Sequence, residues 1–264
     1  MQVSFWQKLV LLAVFSLSLF LSKAATAAPM STENGTEVLV LCYHKIDDWE
    51  DPLSVFPEEF DAQIHHLKEN NYHSITPDQL ADYLKKKTPL PPRPVLITFD
   101  DGYEDNYKNA YPILKKYGFH GTIFIIVNSV GRPGYLTWEQ AKEMSRNGIS
   151  IQSHTMNHLP LSKLSEEKVK EELADSRKII EKNIGQPVRY VAYPEGSYNR
   201  LIEQLAEKSG YRGGFSIRYG IVDATSNRYG MERIAIFHSG NTFRDFLRRI
   251  HYASNYERFG WINP

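Results

Sequence analysis

Cysteine is nearly absent: Cys42 is the only one in 264 residues. No internal disulfide is therefore possible, and packing alone must hold the fold. Followed by Tyr43 and His44 at the end of an apolar run, Cys42 is expected to be a buried strand residue. A net charge is missing as well. Lysine plus arginine number 31 and aspartate plus glutamate 31, with no basic stripe, which argues against nucleic acid as a partner. Long hydrophobic runs are confined to the N-terminus. Lys8 precedes an apolar stretch from Leu9 to Leu21, followed by Ser22, Lys23 and an Ala-x-Ala site at Ala25–Ala27. A membrane span needs about 20 apolar residues. The shorter run with small residues behind it fits a cleaved secretory signal peptide over 1–28, cut near Ala27 or Ala28. Export is expected, to the periplasm, the medium or the cell envelope, with membrane contact only through export. Residues 29–36 are polar and read as a flexible leader.

From residue 37 to 264 short apolar runs alternate with helical patterns, and no repeat or low-complexity tract interrupts them. The runs are 37–43, 94–99, 121–127, 149–153, 190–193, 214–217 and 232–237, rich in Val, Ile, Phe and Tyr as buried parallel strands should be. Helices are expected from Pro57, over 78–87, over 105–117 with Gly118 as the stop, from Thr137 and Ser165, over 199–208 and from Thr242. The Pro-rich stretch 88–94 reads as a rigid loop feeding a strand. About seven β-then-α units predict an α/β fold, a distorted (β/α)7-type barrel in a single domain. A glycine-rich phosphate loop after the first strand, the mark of an open dinucleotide-binding sheet, is lacking; Cys42-Tyr43-His44-Lys45 stands there instead.

In such barrels the active site lies where strands end. His44, Asp100, Asp101, His154, Pro194 and His238 all follow apolar runs. Successive strand side chains alternate, so Asp100 and Asp101 are expected to point different ways. Two histidines at 154 and 158 meet on one side if the loop makes a helical turn. One carboxylate and two neutral imidazoles form a three-ligand metal site with open positions, and the second carboxylate can serve as a base on metal-activated water. Metal-assisted hydrolysis is the chemistry this set suits. Zinc is the default cofactor, and iron, cobalt or nickel would also accept these ligands.

The segments Thr98-Phe99-Asp100-Asp101-Gly102-Tyr103, His154-x3-His158 and Tyr193-Pro194-x-Gly196-x-x-Asn199 closely resemble the polysaccharide deacetylases of carbohydrate esterase family four, over about residues 37–253. The resemblance implies a deformed barrel and a divalent metal that helps remove acetyl groups from N-acetylglucosamine units of a polysaccharide. It implies Asp100 as catalytic base, with Asp101, His154 and His158 as metal ligands. The Tyr103 backbone N–H would stabilise the oxyanion, and Tyr193, Pro194 and Gly196 would form a substrate-binding motif. A histidine suits the general acid. The usual family order places it at His238, but Leu41-Cys42-Tyr43-His44 resembles the opening of a circularly permuted subgroup, the exopolysaccharide and poly-N-acetylglucosamine deacetylases, which favours His44. Two departures stand out. The arginine that braces the base in the usual third motif is replaced by Ala192, and no Asp-x-x-Asp-Trp fourth motif exists; Arg233, Asp223 and Tyr219 lie in that region without an assignable role. Trp138 could stack on sugar or serve in packing. O-acetyl ester hydrolysis on a glycan such as xylan, and a non-catalytic carbohydrate-binding protein that keeps the fold, are the competing readings.

Overall fold

The computed structural model describes residues 36–259, with side chains to 253. The expected signal peptide and nearly all of the leader lie outside the described residues. Among these residues no helix is long and apolar enough to cross a membrane. Eight strands form one parallel sheet: β1 (Leu39–Tyr43), β2 (His73–Ser74), β3 (Pro94–Phe99), β4 (Thr122–Ile125), β5 (Ser150–Ser153), β6 (Tyr190–Ala192), β7 (Gly213–Phe215) and β8 (Ile234–Ala235). Their order is β7-β6-β5-β4-β3-β1-β8, with the two-residue β2 pairing against β3. The seven expected runs became β1 and β3–β8; β2, too short and polar to show a pattern, was not foreseen. A parallel bridge between Phe215 and Met231 ties β7 to the segment leading into β8. The sheet thus curls into a distorted barrel of a single α/β domain.

The helices are α1 (Pro57–Glu69), α2 (Pro77–Lys86), α3 (Tyr111–Tyr117), α4 (Trp138–Arg146), α5 (Glu166–Ile184), α6 (Arg200–Lys208) and α7 (Thr242–Phe259). Local chemistry sets their ends. Thr76 and Thr137 each form a reciprocal capping box with Gln79 and Gln140, and Gly118 and Gly185 close helices at positive φ. On α1, Phe60, Ile64 and Leu67 are fully buried, each worth about 1.5–3 kcal/mol relative to exposure. Trp138 is partly buried against the core. The helix expected over 105–117 starts instead as a π turn at Asn106–Ala110.

Strand alternation divides the core in two. Leu39, Leu41, Val95, Ile97 and Phe99 pack with the helices. Val38, Val40, Leu96, Phe124, Tyr190, Phe215 and Met231 fill the barrel interior. Cys42, His44, Thr98 and Asp100 continue the interior parity of β1 and β3. The register pairs Cys42 with Thr98 and Tyr43 with Phe99, so His44 and Asp100 are the next neighbours at the mouth. Cys42 is buried, as expected.

Candidate active site

At the C-terminal ends of β1, β3 and β5 the polar residues converge. The Asp100 N–H donates to Tyr43 O at 2.9 Å, continuing the ladder. The chain then turns sharply, because Asp101 and Gly102 have φ of 72° and 76°. A Cβ on Gly102 would lie 2.8 Å from Ile125 Cγ2, so this close left-handed turn requires glycine. The expectation that the two aspartates point different ways needs correcting. Asp101 has left extended geometry, alternation no longer applies, and both carboxylates face His154: Asp100 Oδ2 lies 4.0 Å and Asp101 Oδ1 3.5 Å from its Nε2.

His158 Nε2 is also 3.5 Å from Asp101 Oδ1, and the two imidazole centroids are 4.7 Å apart. No helical turn brings them together. The loop folds through left-handed residues at Thr155 and His158 and is held by buried Glu172 of α5. That carboxylate accepts from the N–H groups of Met156 (2.9 Å) and Asn157 (3.0 Å) and from the Asn157 side chain (2.6 Å). Glu172 looks in sequence like any acidic residue of an amphipathic helix, so its role was not legible there.

The donor set fits a divalent cation. His154 Nδ1 lies 2.7 Å from Ala192 O; a carbonyl only accepts, so Nδ1 carries the proton and Nε2 presents its lone pair toward Asp101. Asp101 Oδ1 is buried without a hydrogen-bond partner, a costly state unless something positive sits beside it. Asp101, His154 and His158 place one ligand atom each within 4.8 Å of one another. Burial lowers the pKa of His154, which keeps it a neutral donor.

Asp100 is held from an unforeseen direction. Arg233, in the segment before β8, donates from its two terminal nitrogens to both Asp100 oxygens at 2.8 and 2.7 Å and from Nε to Ser216 O at 2.8 Å. Arg233 is 1% exposed and Asp100 2%. Burial by itself would raise the Asp100 pKa, but the charge of Arg233, with its hydrogen bonds, outweighs it and holds the carboxyl well below the usual range. The missing arginine at position 192 thus has a counterpart that joins Asp100 across 133 residues of chain. Of the other residues in that region, Tyr219 donates to Arg249 O and Asp223 accepts from the Thr225 N–H within its own turn.

His44 is half-buried beside Asp100: a ring nitrogen, Cys42 Sγ and an Asp100 oxygen lie within 4.8 Å of one another. Burial lowers its pKa against the opposing pull of Asp100 and Asp101. Its backbone is tied down by the π turn, since Asn106 donates to His44 O (2.8 Å), Asn109 to Ile46 O (2.7 Å), and the Ile46 N–H to Asp105 Oδ1 (2.8 Å). His238 belongs to neither cluster among the described residues. Its N–H donates to Pro52 O and its ring lies 4.8 Å from Phe56.

Burial, with Asp47's like charge adding to it, raises the Asp105 pKa to about 6 from 3.8. Since the folded value exceeds the unfolded one, ionisation costs stability: nothing is lost below about pH 4, and the full cost of roughly 1–3 kcal/mol is present above about pH 6. Asp105→Asn keeps an acceptor for Ile46 and is expected to be more stable than wild type at pH 8 but not at pH 4 by urea unfolding. A difference independent of pH would contradict this.

The third motif is packed rather than offered to ligand. Tyr193 has helix-facing parity, is 0% exposed and stacks on Tyr198 at 5.1 Å; Pro194 is buried too. Gly196 is half-buried, and a Cβ there would collide with Ile217. The expectation that Tyr193, Pro194 and Gly196 bind substrate is corrected for the first two, which present no surface to a polymer. What this turn supplies is the Ala192 carbonyl that orients His154. The Tyr103 N–H donates to none of the described carbonyls.

Comparison with known proteins agrees with this architecture. The polysaccharide deacetylase family profile matches residues 87–214. Bacillus subtilis YxkH, which carries a polysaccharide deacetylase designation, is 38% identical over 84% of this chain and 80% of its own length. The poly-β-1,6-N-acetyl-D-glucosamine N-deacetylase of Staphylococcus aureus strain MRSA252 is 34% identical over 74% of this chain and 71% of its own. The Streptococcus pyogenes deacetylase PplD, solved with acetate, superposes with a TM-score of 0.77 at 31% identity, covering 81% of this chain and 98% of that one. The chain belongs to the polysaccharide deacetylase family, carbohydrate esterase family four.

Proposed function

We propose that the protein is an exported, metal-dependent hydrolase that removes N-acetyl groups from a polysaccharide containing N-acetylglucosamine. The observation that carries this reading is the convergence of Asp101, His154 and His158 on one point, with Asp100 and His44 beside it. The substrate class is supported by the name of the Staphylococcus relative, and export by the leader pattern at 1–28.

Asp101, His154 and His158 would hold the cation. When bound, a divalent ion there supplies Lewis acidity, polarising the acetyl carbonyl and making water easier to deprotonate. Asp100, kept ionised and oriented by Arg233, accepts the proton of the attacking water. The Tyr103 N–H would donate to the developing oxyanion, the role the family resemblance implies for it. His44 donates a proton to the amide nitrogen as the C–N bond breaks, so acetate and a free amine leave. Zinc is the default ion; iron, cobalt and nickel suit the same donors.

Acetate release from N-acetylglucosamine oligomers is the direct test. Activity is expected to vanish on chelation and return with added zinc or another of these ions, with about one metal ion per chain by elemental analysis. Activity indifferent to chelator, or no acetate from any N-acetylated glycan, would reject the proposal.

A further inference from the structure

Away from the reacting centre, where Tyr72 leads into β2 and Arg93 into β3, a cleft of about 740 Å³ opens between these loops and α7. We propose that it is an anion site for the phosphate group of a ligand, held by Arg93, Arg244 and Arg248.

Charge is the first argument. The chain as a whole balances 31 basic against 31 acidic side chains. The nine residues lining the cleft nevertheless include three arginines, two histidines and no carboxylate. On α7, Arg244, Arg248 and His251 are spaced four and three residues apart and so share one face. The protein elsewhere pairs such positions with opposite charge: on α5, Lys170 meets Glu166 at 2.7 Å and Arg177 meets Glu181 at 3.2 Å. Like charges at this spacing weaken a helix, so the α7 face is arranged against the helix's own stability. Its one acidic neighbour, Asp245, accepts from the Ser239 hydroxyl at 2.7 Å and lies 3.6 Å from Arg248. Among the described residues neither Arg93 nor Arg244 forms a salt bridge.

The walls are built and tied. The Arg93 guanidinium rests on the Tyr72 ring, 4.2 Å from its centroid, and a stacked guanidinium keeps its in-plane N–H groups for an anion. Arg93 holds a φ of 46°, uncommon for a residue with a side chain. Two backbone bonds of 3.0 Å pin this rim, from the His73 N–H to Arg93 O and from the Tyr72 N–H to Leu67 O. Across the cleft the His66 ring stands edge-on to Phe243 and Phe246, at 5.9 and 6.2 Å, which fixes α1 against α7.

Chemistry indicates the ligand class. Three guanidinium charges exceed what one carboxylate balances, whereas a phosphate group brings nearly two charges and three strong acceptor oxygens. The arginine fork matches those oxygens, and a cleft lined by one sign of charge concentrates its field. The volume lies within the range of ligand pockets, about 300–1,000 Å³, with room for the group that carries the phosphate. Arg93 and Asp100 bracket β3, which separates them by roughly 20 Å. An occupied cleft therefore leaves the catalytic mouth open.

Calorimetry with inorganic pyrophosphate, and with acetate as the carboxylate control, tests the site. Wild type is expected to bind pyrophosphate more tightly than acetate, and less tightly as salt rises. Arg93→Gln/Arg248→Gln should bind pyrophosphate at least about tenfold more weakly, whereas Lys178→Gln, on α5 with its side chain 75% exposed, should match wild type. Arg244→Gln, on the exposed face of α7, gives a second reading of about threefold or more if the double variant melts early. Acetate release should be the same in all of them, since none touches the mouth. Flotation with phosphatidylcholine vesicles, with and without phosphatidic acid, separates two sources of the same chemistry. Co-flotation that needs phosphatidic acid and is lost in the double variant assigns a lipid headgroup; pyrophosphate binding without co-flotation assigns a soluble phosphate ester. No pyrophosphate binding by wild type, equal affinity for acetate, or undiminished binding in folded arginine variants would overturn the site.

Discussion

Arg233→Met is expected to destabilise the fold by about 3–5 kcal/mol, because it leaves the Asp100 carboxylate buried and unpaired. Arg233 satisfies both Asp100 oxygens and no water can replace it at 1% exposure. Asp100→Asn, by contrast, keeps an acceptor for the guanidinium but removes the base, and acetate release should fall by roughly 10²–10⁴-fold. The double variant separates the two roles. With neither charge present, Arg233→Met/Asp100→Asn should recover much of the lost stability while staying as inactive as Asp100→Asn. Urea unfolding alongside the acetate assay measures both. An Arg233→Met protein within about 1 kcal/mol of wild type, or a double variant no more stable than that single one, would show that the pair matters less than its geometry suggests.

The second large effect concerns the proton donor. His44→Ala is expected to lower kcat by roughly 10²–10³-fold, while His238→Ala stays within about threefold. His44 lies beside Asp100, half-buried, on a loop fixed by Asn106, Asn109 and Asp105. His238 packs on Phe56. Wild-type turnover in His44→Ala, or an equal loss in His238→Ala, would reverse the assignment. Because the leaving amine must be protonated, a substrate with a better leaving group, such as an activated acetyl ester, should suffer much less from losing His44.

Much of this was open to reading along the chain. The alternation of apolar runs and helical patterns, each marked by caps such as Thr76, Thr137 and Gly118, pointed to a parallel α/β barrel, since those signals act over a few residues. The meeting of Asp101, His154 and His158 was open too, because they lie at strand exits and strand exits share one end of such a barrel. Less open were features that depend on where the chain bends. Alternation failed for Asp101 because its φ is positive, and Tyr193 proved buried because strand parity turns it toward the helices.

Signals that act over a few residues carried the fold class and the residue types that gather at the barrel mouth, because hydrophobic period, caps and strand exits are local properties. What supports those residues came from the packing of distant segments. Arg233 reaches Asp100 across 133 residues, Glu172 holds the His154–His158 loop from another helix, and Asn106 clamps His44 through a π turn. Each of these depends on curling the sheet until distant segments meet, and no short-range pattern encodes that closure.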